Sequence, residues 1–284
     1  MKVLHTIKEL NEFLLPFRNS NKTIGFVPTM GALHLGHLSL VEKSASKCDI
    51  TIMSIFVNPT QFNDIKDFEK YPQNLTSDIE KLKQSPCDIL FVPNTNEIYD
   101  KGLNERIHID LSLLNNILEG EKRPGHYDGV VTVVYKLFAI IQPHKVFLGM
   151  KDYQQVLVIK ELIIQKKLPI EAIGCPTLRE PNGLAMSSRN TRMSEDEKEI
   201  ALNLYKALHF IVSQVGTSTP KMATTGAINL FLKHPHIRLE YLQISPKNDI
   251  SHEIEDWNET ENYVVLIAAF VGNIRLIDNM VFSK

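Results

Sequence analysis

Two histidines three positions apart, His34 and His37, close the run Pro28-Thr-Met-Gly-Ala-Leu-His-Leu-Gly-His. A short strand-like run, Thr23 to Val27, precedes them, and a helix-like run from Leu38 to Ser46 follows. Their spacing puts both imidazoles on one face of a first helical turn. The amino end of a helix offers N–H groups and partial positive charge to an anion. Gly36 removes a side chain and lets a flat base or a phosphate approach the backbone. In open α/β sheets, ligands bind at the carboxyl edge, where such turns lie. The pattern points to capture of a phosphorylated ligand.

Three further clusters carry chemistry. Ser187-Ser188-Arg189-Asn190 follows the turn signal Pro181-Asn-Gly183 and sets two hydroxyls beside a planar cation, a suitable grip for polyphosphate. Gly149-Met-Lys151-Asp152-Tyr-Gln-Gln155 follows another strand-like run; Lys151 is a point charge for phosphate, and Asp152 suits a ribose hydroxyl or the orientation of Lys151. Phe56-Val-Asn-Pro-Thr-Gln61-Phe62 follows a third. Gln61 and Gln155 both fall at strand ends, and two neutral amides hold a small hydroxy acid without blunting its carboxylate as a nucleophile. Taken singly, each cluster has a plainer reading: a helix cap, a linker, a strand-to-helix turn opened by Asp, or a solvated glutamine. Their combination argues for a site.

The elements that must position these groups are legible. Strand-like runs at Thr23–Val27, Ile50–Val57, Asp88–Val92, Lys145–Leu148 and Ile170–Ile173 alternate with helix-like segments at Thr6–Phe17, Leu38–Ser46, Ser77–Lys83 and Tyr153–Lys166. Continuous apolar strands between helices predict a doubly wound, Rossmann-like parallel sheet over residues 1–176. From 177 to 284 the pattern changes to a smaller α+β domain. A capping box, Ser194 with Glu197, opens a helix from Glu195 to about Val212. A second helix spans Met222–Lys233, and strands follow at Arg238–Ile244, Tyr263–Val271 and Arg275–Ile277.

The chain has 284 residues, 31 basic and 33 acidic for a net charge of −2, with 43% hydrophobic and 23% charged residues. These values exclude a disordered chain or coiled-coil rod and argue against a dedicated nucleic-acid binder. No apolar run is long enough to span a membrane; the longest, Val130 to Ile141, is interrupted by Thr132 and Lys136. The start carries polar and acidic residues too early for a secretory signal. Cys48, Cys87 and Cys175, odd in number and far apart, fit free thiols in a reducing cytoplasm.

His34-Leu-Gly-His37 resembles the HxGH signature of the nucleotidyltransferase superfamily, and Met186-Ser-Ser-Arg-Asn190 stands where its second signature falls. Together with F-V-N-P-x-Q-F, Arg123-Pro-Gly-His126-x-x-Gly-Val, G-x-K-D-Y-Q-Q, R-E-P-x-G-L-A and the ending Arg275-Leu-Ile-Asp-Asn279, the set is similar to the pantothenate synthetase (pantoate–β-alanine ligase) family along essentially the whole chain. The resemblance implies an ATP-dependent ligase: pantoate attacks the α-phosphorus of ATP, and β-alanine then attacks the pantoyl adenylate. It implies Mg²⁺, a cytoplasmic homodimer, and a C-terminal domain covering the site. It implies ATP contacts from Met30, Gly31, Ala32, Leu33, His34, Leu35, Gly36 and His37, with His37 as proton donor. Gly149, Met150, Lys151, Asp152, Leu178, Met186, Ser187, Ser188 and Arg189 would complete the nucleotide site, with His34, Lys151 and Arg189 catalytic beside His37. Gln61 and Gln155 would hold pantoate, and Gln61 would also meet β-alanine.

Asp78 matches an acidic position near the metal in that family, but Ser77 precedes it where relatives often carry a second acid. Gln73 follows Tyr71-Pro72 where they commonly have arginine, and Leu178 replaces a common valine. Arg123 to His126 suits either a loop over the site or a turn before a helix. Rival readings are a transferase with a phosphate acceptor, which leaves two acceptor-site glutamines unexplained, and a synthetase remnant, which lacks a basic C-terminal domain. A non-catalytic nucleotide sensor would be expected to have lost one of His34, His37, Lys151, Asp152 or Arg189, and all are present.

Overall fold

Runs of apolar residues with no polar alternation must be covered on both faces, and they form the central strands here. The computed structural model describes residues 1–63, 68–69, 71–231, 234 and 236–284. The chain divides into two compact units, Met1–Pro176 and Thr177–Lys284.

The first unit runs β1 (Lys2–Leu4), α1 (Ile7–Asn19), β2 (Ile24–Thr29), α2 (Leu35–Ala45), β3 (Ile50–Ile55), α3 (Leu75–Lys83), β4 (Ile89–Phe91), and the short helices α4 (Thr95–Ile98), α5 (Ser112–Asn115) and α6 (Leu118–Lys122). Then come α7 (His126–Ile141), β5 (Lys145–Gly149), α8 (Tyr153–Gln165) and β6 (Glu171–Cys175). All six strands are parallel, in the order β1-β4-β3-β2-β5-β6. Phe26, Val27, Ile52, Met53, Leu90 and Phe147 are fully buried along them. The order runs one way from β2 through β3 and the other way through β5, so the topological switch point lies between β2 and β5.

The expected Rossmann-like alternation is present, with three differences. β2 does not stop before Pro28 but continues to Thr29. The Thr29 carbonyl accepts the Phe56 N–H on the β3 side, so by alternation the Pro28 nitrogen faces β5. Pairing with β5 ends at Phe26–Val146, and the missing proline N–H breaks no ladder bond there. The edge strand β1 was not expected. α7 was expected only through the reading of Arg123–His126 as a turn before a helix; its buried residues run almost continuously from His126 to Val134 and include Leu137, Phe138 and Ile141.

The second unit contains α9 (Glu195–Ser213), α10 (Pro220–Phe231) and the antiparallel sheet β7 (Ile237–Pro246), β8 (Asn262–Val271), β9 (Ile274–Ser283). The Ser194–Glu197 capping box opens α9 as expected. α10 starts before Met222, and the expected end at Lys233 lies outside the described residues. β9 is much longer than Arg275–Ile277. Leu204, Leu208 and Ile211 of α9 pack with Val265, Ile267 and Ala269 of β8 in one core. Among the described residues, no helix is long and apolar enough to cross a membrane.

Candidate active site

The turn after β2 is built by side chains reaching in from α3. Gly31 and Ala32 both adopt left-handed backbone, φ +84° and +50°. That turns the Ala32 and Leu33 amides away from the sheet, where they donate to Asp78 Oδ2 (2.9 Å) and Oδ1 (2.8 Å). One turn along α3, Lys81 Nζ donates to the Leu33 carbonyl at 2.7 Å. Asp78 is 1% exposed. Both its oxygens are therefore engaged in shaping the turn. Among the described residues no group of three or more His, Cys, Asp or Glu side chains is placed to hold a metal. Asp78, expected as a Mg²⁺ ligand, here holds the loop through both oxygens.

α2 then begins with an unusual cap. His34 is its N-cap, and His34 Nδ1 accepts the Gly36 N–H at 3.2 Å. His37 Nδ1 accepts the His34 N–H at 3.3 Å, and the His37 N–H donates to the His34 carbonyl at 2.8 Å. Of the first-turn amides expected to bind an anion directly, that of Gly36 is thus taken by an imidazole and that of His37 by the His34 carbonyl. An Nδ1 that accepts carries no proton, so the proton of each neutral ring sits on Nε2. The rings lie 4.0 Å apart between centroids. Burial first, then the Lys151 and Lys81 charges, lowers the His34 pKa to about 4. Burial, followed by His34 and Lys151, lowers that of His37 to about 3. Both are neutral Nε2–H donors at physiological pH. Lys151 and Lys81 supply the positive charge that faces them.

Across the switch point, β5 ends at Gly149 and a 3₁₀ turn, Met150–Asp152, leads into α8. The Lys151 side chain is mostly buried and lies 3.9 Å from Asp152, which is half exposed. The adjacent glutamines of the motif divide their work. Gln154 is buried: its Nε2 donates to the Leu114 and Ile117 carbonyls (2.7 and 3.0 Å), and its Oε1 accepts from the Glu119 N–H (3.0 Å). Gln155 is partly exposed. The first holds the α5–α6 segment, and the second is the binding candidate.

Gln61 ends the 3₁₀ turn Pro59–Gln61 after β3 and is 7% exposed. Its Oε1 accepts from Asn58 Nδ2 (3.0 Å), and its Nε2 lies 3.0 Å from Met30 Sδ. Its carbonyl accepts from His126 Nδ1 (2.7 Å), whose Nε2 faces Arg123 Nη1 (3.0 Å). Burial first, then Arg123, lowers the His126 pKa to about 3. Arg123-Pro-Gly-His126 is the turn that opens α7, with Gly125 at φ +77°. Gly129 explains the rest of that motif: a Cβ there would collide with the Thr60 carbonyl. β3, β2 and β5 are consecutive in the sheet. Gln61, His34 with His37, and Lys151 with Gln155 therefore follow the carboxyl ends of three neighbouring strands.

The remaining predicted residues lie in the second unit. Leu178 and Met186 face each other across a small hairpin, the Met186 N–H donating to the Leu178 carbonyl. Ser187 caps a 3₁₀ turn, Ser188–Arg192, its Oγ accepting the Arg189 N–H at 3.2 Å. Asn190 is buried and ties the turn to Glu180 and Ala185. Arg179 makes a two-pronged pair with Asp278 (2.7 and 2.9 Å) and stacks on Tyr205. That gives the R-L-I-D-N ending a purpose, because Asp278 anchors the hairpin carrying the serines. Sequence reasoning missed Lys81, Asn58 and Gln154, although the last two stand inside quoted motifs.

Comparison with known proteins agrees with this geometry. The family profile described as Pantoate-beta-alanine ligase matches residues 2–281. Pantothenate synthetase of Cytophaga hutchinsonii is 44% identical over 278 residues, covering 97% of each chain, and that of Bacteroides fragilis is 39% identical over the full length of both. The Thermus thermophilus pantothenate synthetase crystal structure superposes with a TM-score of 0.92 at 36% identity, covering 99% of both chains. The Francisella tularensis ligase, solved with a β,γ-ATP compound and β-alanine, gives 0.79 at 39% identity over 99% of this chain and 97% of its own. With profile, relatives and fold in agreement over nearly its full length, this chain belongs to the pantoate–β-alanine ligase family.

Proposed function

We propose that this chain performs its family's reaction at the switch point between β2 and β5: ATP-dependent condensation of (R)-pantoate with β-alanine. The products are pantothenate, AMP and pyrophosphate, and the step belongs to pantothenate biosynthesis. A pantoate carboxylate oxygen attacks the α-phosphorus, the bond to the β-phosphate bridging oxygen breaks, and pyrophosphate leaves. The β-alanine nitrogen then attacks the acyl carbon of the pantoyl adenylate, AMP leaves, and the ammonium protons pass to solvent.

The observation that carries this reading is the pair of neutral, tautomer-fixed imidazoles between two amides and a lysine. An anion attacking a triphosphate needs donors aimed where charge builds, held in place beforehand. We assign His37 and His34 as Nε2–H donors to the phosphates. His37 hydrogen-bonds the leaving group rather than supplying a proton from an imidazolium. Met30–His37 and Gly149–Asp152 line the nucleotide, with Lys151 on phosphate. Gln61 and Gln155 hold pantoate, and Gln61 also meets β-alanine. Leu178, Met186, Ser187, Ser188 and Arg189 are assigned to the nucleotide as well.

Mg²⁺ would neutralise phosphate charge on ATP, and Asp78, which also holds the turn, is the side chain we assign to it. We assign a homodimer on the family resemblance, and a cytoplasmic setting on that resemblance and the three free thiols. The test is release of AMP and pyrophosphate with each organic substrate omitted in turn. AMP release requiring pantoate and β-alanine, with pantothenate detected by mass, supports the assignment. Pyrophosphate release independent of pantoate sinks it.

A further inference from the structure

We infer that Tyr99 and Asn58 are positioning residues that decide which end of the Gln61 amide meets substrate. The inference rests on the assignment of Gln61 to pantoate. It starts from two backbone groups whose hydrogen-bonding sense is fixed. One end of the Asn58 amide receives the Thr60 N–H (3.3 Å), so that end is the oxygen. The other end lies 3.2 Å from the Gly129 carbonyl, so it is the NH₂. Neither assignment can be reversed without setting donor against donor or acceptor against acceptor.

The second Asn58 N–H points at Gln61, 3.0 Å away, so the facing Gln61 atom is Oε1. The Gln61 NH₂ is left on the Met30 side, beside the end of β2. Gln61 therefore turns its NH₂ to the Met30 side, and the group that this NH₂ holds must be an oxygen that accepts. A pantoate carboxylate or hydroxyl oxygen meets that demand. Asn58 itself is 1% exposed, and its amide is spent within the protein.

Tyr99 locks this arrangement from the far side. It is 3% exposed, and its OH donates to Asn58 Oδ1 at 2.7 Å. The same OH lies 3.1 Å from Thr60 Oγ1. Thr60 Oγ1 donates to the same Asn58 Oδ1 at 3.0 Å, so the Tyr99 and Thr60 hydroxyls converge on that oxygen, and Asn58 donates on to Gln61. Each link is directional, so the Tyr99 hydroxyl biases the orientation of an amide it does not touch. No sequence motif marked Tyr99.

The test is a double-mutant cycle on kcat/KM for pantoate, with ATP and β-alanine saturating. Tyr99→Phe keeps the ring and removes only the hydroxyl. It is expected to lower kcat/KM for pantoate about three- to tenfold, while kcat/KM for ATP at saturating pantoate holds. In a Gln61→Ala background the same change is expected to have no further effect, because the amide it orients is gone. An equal loss in both backgrounds, or an equal loss toward ATP, overturns the relay in favour of general packing. Asn58→Asp supplies a second reading: without its NH₂ it draws the Gln61 NH₂ inward, so the pantoate loss is larger than for Tyr99→Phe. A smaller loss overturns the relay. If Gln61→Ala alone leaves kcat/KM for pantoate unchanged, the assignment of Gln61 to pantoate fails first, and the relay with it.

Discussion

The turns after β2 and after β5 flank the same switch point, yet they are built in opposite ways. After β2 the protein uses up the local polar groups itself. Asp78 takes two amides, Lys81 a carbonyl, and the imidazoles two more amides. Thr29 Oγ1 ties to the Ser54 carbonyl at 2.7 Å. After β5, α8 opens without a side-chain cap, the Lys151–Asp152 pair is long at 3.9 Å, and a Cβ at Gly149 would meet nothing within 4 Å. One turn is a preformed set of donors, while the other has no side-chain helix cap and places Lys151 beside Asp152. Damage to the first should disturb both fold and chemistry, and damage to the second should disturb binding more than fold.

The largest expected effect breaks the first turn at its donor. His37→Ala should lower kcat/KM for ATP by about 10²- to 10³-fold, the usual cost of removing a preorganised donor to developing charge. Steady-state kinetics at saturating pantoate check it. Next, Asp78→Asn puts an NH₂ against an amide N–H and shifts the turn. It should cost up to about 10²-fold in kcat and lower the melting temperature as well. A normal melting temperature would contradict the loop-holding role of Asp78, and lost metal dependence would support its assignment to Mg²⁺. Lys151→Met should raise the ATP KM about tenfold, with a smaller loss of melting temperature than Asp78→Asn. Parallel losses of stability in the Lys151 and Asp78 variants would erase the contrast between the two turns.

The smallest effect on activity accompanies a pH dependence that is read on stability. His34, His37 and His126 stay neutral in the folded chain down to about 4, 3 and 3, against 6.5 for an ordinary histidine. Below pH 6.5 the unfolded state binds more protons, so stability rises with pH and is lost as pH falls from 6.5 toward 4. The melting temperature should fall across that window, and His126→Asn should flatten the fall. A melting temperature level from pH 7 to 5 would contradict the burial of these rings.

Much of this was legible in the sequence because strand runs and chemical motifs coincide. Ile24–Thr29 and Ile50–Ile55 are apolar without alternation, and the histidines and Gln61 follow them directly. α7 was legible only as the helix that the Arg123–His126 turn could open, because its apolar run also suits a buried strand. The loop-holding contacts of Asp78 were not legible, because only coordinates reveal two amides turned toward it by left-handed Gly31 and Ala32. Gln154 and Gln155 are adjacent and identical in type, and helix geometry alone separates the structural one from the binding candidate. Tyr99 acts through two other side chains, a relation that spacing along the chain does not encode.

The central claim is that the HxGH imidazoles act as neutral donors fixed in the Nε2–H form. The most direct measurement is a long-range proton–nitrogen NMR titration of ¹⁵N-histidine protein, with His34→Gln and His37→Gln for assignment. His34 and His37 should each show an unprotonated Nδ1 and a protonated Nε2, with no titration between pH 8 and 5. Imidazolium signals from His37 appearing near pH 6.5 would contradict this and restore His37 as a proton-transferring acid.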